Sequence, residues 1–60
     1  MELSEKELSV VQDLLTEEEL LLKKFQMLAN HSQDETVKQQ MLDIANKHQG
    51  HFNAIYSYLN

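Results

Sequence analysis

The chain has only one internal stretch that is rich in turn-forming residues, and this feature limits its fold more than any other. Its 60 residues include no proline and a single glycine, Gly50, so strong helix breakers are almost absent. The turn formers cluster at residues 30–34, Asn-His-Ser-Gln-Asp. An all-β fold needs many tight turns and is disfavoured. The sequence therefore predicts two long helices joined by one turn.

Capping signals predict where the two helices begin. Ser4 is followed three residues later by Glu7, which is the capping-box pattern for a helix that starts near residue 5. For the second helix, either Ser32 with Glu35 or Asp34 alone can supply the cap. We predict one helical-hairpin domain over residues 1–60, with helices at about 5–31 and about 34–59.

Apolar residues recur in steps of three and four along both predicted helices. The first stripe comprises Leu8, Val11, Leu15, Leu22, Phe25 and Ala29, widened by Leu14, Leu21 and Leu28. The second comprises Val37, Met41, Ile44, Ile55 and Tyr58, widened by Ala45, Phe52 and Leu59. Stripes this wide suit a helix bundle better than a two-stranded coiled coil. A lone hairpin leaves one side of each stripe in water, so we expect a homodimer that forms an all-α four-helix bundle.

Three positions on these stripes are polar: Glu18, His48 and His51. If Gln33 is the middle of the turn, residues equally far from it lie side by side, which places Glu18 beside His48. His51 follows one helical turn later on the same face. We therefore predict one polar layer near the middle of the hairpin, which a two-fold axis would bring together with the layer of a second copy.

Carboxylate and neutral imidazole are good ligands for zinc, iron or manganese. The sequence thus predicts a divalent-metal site at Glu18, His48 and His51, with Glu19 as a weaker candidate. A metal-free layer that only fixes the register of the helices is the alternative. His31 lies near the end of the first helix, and we interpret it as a C-terminal cap.

The remaining motifs and the charge argue against several functional classes. The chain shows no nucleophile–base pair, phosphate loop or nucleotide-binding pattern, so we lean against an enzyme and expect no catalytic residues. Ten acidic residues against five lysines give a net charge of −5, which is unfavourable for nucleic acid or anionic membrane. The longest apolar run is only Leu20–Leu22, and the first residues lack signal-peptide character. We expect an intracellular protein.

Three segments of the chain resemble the spore coat protein F-type family. They are Glu-Lys-Glu-Leu at 5–8, Asp-Leu-Leu-Thr-Glu-Glu-Glu-Leu-Leu-Leu-Lys-Lys-Phe at 13–25, and Ile-Ala-Asn-Lys-His-Gln-Gly-His-Phe at 44–52. The resemblance implies a ferritin-like helical bundle with a structural role in sporulation. It also implies a location in the cytoplasm or the spore coat, and other coat proteins as partners.

The wider ferritin-like superfamily carries a Glu on one helix and a Glu-x-x-His motif on the next. By this resemblance Glu18 matches the first Glu and His51 matches the His, whereas His48 stands where the motif has Glu. The exchange lowers the negative charge of the layer and favours zinc or an empty layer over oxygen-activating di-iron chemistry. A ferritin-like dimetal protein in metal storage or redox chemistry is the alternative that the resemblance implies.

Overall fold

A computed structural model describes residues 2–59, and this part of the chain is helical with no strand. Helix α1 spans Glu5–His31 and helix α2 spans Glu35–Tyr56, followed by a 3₁₀ turn at Ser57–Leu59. The two long helices pack side by side as a rod with extents of 46 × 14 × 10 Å. The predicted helical hairpin is therefore confirmed.

The N-terminus of α1 is fixed by the capping box that its sequence predicts. The Ser4 hydroxyl accepts a hydrogen bond from the Glu7 amide at 3.1 Å, and the Glu7 carboxylate accepts one from the Ser4 amide at 3.0 Å. These bonds satisfy amides that a helix start leaves without partners. At the other end, His31 Nδ1 lies 2.9 Å from the Met27 carbonyl oxygen, so this ring interacts with the last turn of α1 as expected.

Helix α2 is capped by Asp34, which decides between the two candidates. Asp34 Oδ1 accepts hydrogen bonds from the amides of Thr36 at 2.8 Å and Val37 at 3.1 Å. The Ser32 hydroxyl contacts only the backbone of Asp34. We expected α2 to continue to about residue 59. It ends at Tyr56 instead, and the chain tightens into the 3₁₀ turn, where the Ser57 hydroxyl donates to the Ala54 carbonyl at 2.6 Å.

The hairpin buries very few side chains. Among residues 2–59 only Ala29 and Ala45 are buried, at 0% and 2% exposure. Around them lies a half-buried layer formed by Val11, Leu15, Leu22, Phe25, Met41, Ile44, Phe52 and Ile55. Val37 and Tyr58, which we expected on the main stripe, remain 42% and 54% exposed. The inner face of α2, which is the side that packs against α1, is thus rotated towards Ala45 and Phe52. A small side chain such as that of Ala45 lets the two helices approach each other closely.

One side of the hairpin is apolar and uncovered. We call it the open face: it comprises the half-buried Ile44 and the exposed residues Leu14, Leu21, Leu28, Val37, His51 and Tyr58. In both helices these residues come one position before the residues of the inner face. An antiparallel helix pair has a local two-fold axis, so equivalent positions lie on the same side of the pair. An open hollow lies between Tyr58 and the residues Leu3, Val10 and Val11.

The surface area shows how much of the chain is left uncovered. The accessible surface is 4824 Å², whereas a compact monomer of this mass exposes about 4,000 Å². The radius of gyration is 14.2 Å, against about 10 Å for a compact chain of this length. Within the described residues, neither helix has a stretch apolar and long enough to cross a bilayer.

Candidate metal centre

The three polar residues of the stripes meet at the middle of the hairpin. Glu18 lies halfway along α1, and His48 and His51 lie one turn apart on α2. Their ligand atoms all fall within 4.8 Å of one another, and this trio is the group of potential metal ligands among residues 2–59. The predicted convergence of the three residues is therefore present in the fold.

The Glu18 carboxylate faces both imidazole rings. His48 Nδ1 lies 2.5 Å from Oε1 of Glu18, within hydrogen-bond distance. His51 Nδ1 lies 3.4 Å from the other oxygen, Oε2. The Glu18 and His48 side chains are 17% and 19% exposed, whereas His51 is 60% exposed and lies at the edge of the open face. The site is thus closed towards the hairpin and accessible from the open face.

Aromatic contacts hold the His48 ring in place. It stacks on the Phe25 ring with the centroids 5.6 Å apart and the planes 13° apart. The His51 ring meets it edge-on, at 5.5 Å and 88°. Ring pairs in such geometries attract each other beyond their buried area. The position of His48 is therefore set by Phe25 on one side and Glu18 on the other.

The two rings also stabilise the charged form of the carboxylate. The hydrogen bond from His48 lowers the pKa of Glu18 below its ordinary value, and partial burial opposes this shift. The positive charges that His48 and His51 carry when protonated lower this pKa further. Glu18 is consequently an anion at neutral pH, the form that binds either a protonated imidazole or a metal cation.

The spacing of the three groups is close to what a small dication needs. Nitrogen and oxygen ligands about 2.0–2.1 Å from a tetrahedral metal lie roughly 3.3 Å from each other. The Glu18–His51 pair at 3.4 Å already has this spacing. The Glu18–His48 pair is hydrogen-bonded at 2.5 Å, and its two atoms would have to separate by under about 1 Å to reach this spacing. The three side chains could therefore hold a dication after a small movement.

Two other candidates lie outside this cluster. Glu19 Oε1 accepts a hydrogen bond from Lys23 Nζ at 3.1 Å, in an exposed pair along α1. The fold therefore gives Glu19 an ion-pair role within its own helix and does not bring it to the imidazoles. His31 is at the turn end of α1, bonded to the Met27 carbonyl.

The contact between Phe25 and His48 was not visible in the sequence pattern. Simple register places Phe25 two turns from the polar layer, opposite Met41. Helical side chains lean towards the N-terminus of their own helix. In an antiparallel pair Phe25 therefore leans towards the layer while His48 leans towards the turn, and the two rings meet. The same lean brings His51 back towards Glu18.

Comparisons with protein-family models, with curated proteins and with solved structures gave no match for this chain.

Proposed function

We propose that this chain is a structural protein that binds a divalent transition metal, and that its working form is a homodimeric four-helix bundle. The observation that carries the proposal is the convergence of Glu18, His48 and His51 on an otherwise apolar stripe. Placing a carboxylate and two imidazoles in a bundle interior costs free energy unless they are paired or bind an ion. A bound dication offsets that cost.

The uncovered surface supports dimerisation. The chain exposes about 800 Å² more than a compact monomer of its mass. This excess matches the roughly 800 Å² that each partner buries in a protein–protein interface of standard size. A second copy is the occupant we propose for the open face, because it also brings a second set of ligands to the same level.

Each of the three side chains would have its own role in the proposed metal site. His48 and His51 would each bind the ion through an unprotonated ring nitrogen, and Glu18 would supply a negative oxygen. Three ligands per chain leave a tetrahedral ion one position short, to be filled by water or by a group from the partner. Two imidazoles and one carboxylate form a donor set that binds zinc and also iron(II), and zinc is the ion that we use in the test.

The test is metal content compared between matched histidine variants. Purified protein is equilibrated with zinc, dialysed and analysed for metal per chain. We expect one zinc per chain for the unmodified protein and for His31→Gln, which changes a histidine outside the cluster. We expect loss of the metal in the double variant His48→Gln/His51→Gln. Equal zinc content in that variant and in the parent contradicts the proposal.

Two alternatives predict different results from the same preparations. A ferritin-like dimetal protein would take up iron or manganese stoichiometrically and react with peroxide. A metal-free layer that only fixes register would bind no metal. Changing Glu18, His48 and His51 together to leucine would then be neutral or stabilising, as buried ion pairs often behave.

The cellular role is the part of the proposal that rests on the resemblance to spore coat proteins. The motifs involved are the Glu-Glu-Leu-Leu-x-Lys-Lys block at 18–24 and the His48–His51 pair. We propose a coat-associated structural role, with other coat proteins as partners. A tagged chain in a spore-forming host should then be extracted with the coat fraction. Recovery from the cytosol alone contradicts the coat role and leaves the metal site untouched.

A further inference from the structure

Charged side chains border the open face in matching places on the two helices. Glu17 lies three residues after Leu14 and four before Leu21, so it borders the open face on α1. Lys47 stands in the same relation to Ile44 and His51 on α2. Both side chains are exposed, and within residues 2–59 neither takes part in an ion pair.

We infer that the second copy covers the open face with its turn at the same end as the turn of the first. This inference rests on the proposed bundle and adds its orientation. In this arrangement α1 of each copy lies against α2 of the other, and Glu17 faces the partner's Lys47. The pairing occurs twice, once on each border of the interface.

The polar layer allows two orientations and does not itself choose between them. Glu18 has thirteen helical residues on either side within Glu5–His31. A two-fold axis at its level therefore superimposes the two layers whether the turns lie at the same end or at opposite ends. Adjacent helices are antiparallel in both cases, so helix direction gives no preference either.

The border charges distinguish the two orientations. With the turns at the same end, Glu17 and the partner's Lys47 lie within about 3 Å of each other in height, since each is one residue from the layer. Charges at the border of a helical interface chiefly select partner and orientation.

With the turns at opposite ends, each helix lies against its own copy. Glu17 then faces the partner's Glu17, and Lys47 faces the partner's Lys47, at the same spacing of about 3 Å in height. Two attractive contacts are thus replaced by two repulsive ones, and the orientation with both turns together is favoured.

The distance between the two turns tests the orientation directly. The chain has no cysteine, so Gln33→Cys in the turn accepts a single spin label, with zinc kept saturating. Turns at the same end are about one helix spacing apart, 8–10 Å between backbones, and with the label arms we expect roughly 15–30 Å. Turns at opposite ends are separated by about 40 Å or more. A distance above about 40 Å overturns the inference.

Charge exchange gives an independent test by sedimentation at low salt. Glu17→Lys and Lys47→Glu should each raise the dimer dissociation constant by about three- to tenfold, and the two together should restore it to within twofold. If the turns lie at opposite ends, like charges still face each other in all three variants. The dimer dissociation constant then stays unchanged. The two single changes alter the charge beside the layer in opposite directions. If both single changes weaken the dimer, the cause therefore cannot be the effect of the changed charge on metal binding.

The two measurements also separate this inference from the proposed bundle. A long distance between the labels, with unchanged dissociation constants, overturns the orientation and leaves the dimer standing. Absence of any dipolar coupling between labelled chains, at concentrations where sedimentation gives a single-chain mass, overturns the dimer together with the orientation.

Discussion

Removing apolar side chains from the open face should dissociate the dimer by a calculable amount. Leu21 and Leu28 are 37% and 54% exposed in the hairpin. Burying a complete leucine side chain contributes up to about 3 kcal/mol, so covering the exposed part of each contributes about 1 kcal/mol. A dimer of Leu21→Gln/Leu28→Gln lacks four such contributions, about 4 kcal/mol. The dissociation constant should therefore rise about a thousandfold.

The neighbouring positions provide a matched control. Leu20 and Met27 each precede one of these leucines by one residue and are 52% and 57% exposed. They lie about 100° further round the helix, away from the open face. The variant Leu20→Gln/Met27→Gln removes as much exposed apolar surface, yet the dissociation constant should change less than threefold.

Sedimentation equilibrium over nanomolar to high micromolar concentrations measures both constants, with zinc held constant. Far-ultraviolet circular dichroism at the same concentrations checks that the helices persist. An open-face variant that stays as tightly dimeric as the parent refutes the interface. Equal weakening by the control pair also refutes it, because the effect would then follow lost hydrophobicity and not position.

Three further changes test the hairpin and its polar layer, each at fixed protein concentration. Gly50→Ala should stabilise the fold by about 1 kcal/mol, since Gly50 lies inside α2 and an added methyl group meets nothing within 4 Å; an unchanged or lower midpoint of thermal unfolding contradicts this. Asp34→Ala should lower stability by about 1 kcal/mol through loss of the α2 cap, measured by urea unfolding; no loss would mean that water replaces the cap. In metal-free protein, the pKa of Glu18 is lowered by the hydrogen bond from His48. The stability it contributes is complete above the ordinary carboxyl pKa near 4.5 and is lost as the pH falls through the lowered value. The difference in unfolding free energy between the parent and Glu18→Gln should therefore shrink below about pH 4.5, and a constant difference down to pH 2 contradicts the assignment. Glu7, whose pKa is lowered by Ser4, is present in both proteins and cancels.

Local interactions were readable from the sequence because they join residues that are close along the chain. The Ser4–Glu7 capping box joins residues three positions apart. The Asp34 carboxylate accepts hydrogen bonds from the amides two and three residues after it. Such hydrogen bonds depend on residue type and spacing alone. Equal distances from the turn likewise placed Glu18 beside His48, because an antiparallel hairpin with a short turn has little freedom in its register.

Rotation of the helices about their axes depended on the tertiary structure. The apolar stripes are wide enough for α2 to turn either Val37 or Ala45 inwards, and periodicity does not choose between them. Packing turned Ala45 inwards, to 2% exposure, and left Val37 42% exposed, because a small side chain lets two helices pack closely. That rotation leaves His51 at the edge of the open face. The stacking of Phe25 on His48 has the same origin, since it depends on how side chains of opposed helices lean towards each other in space.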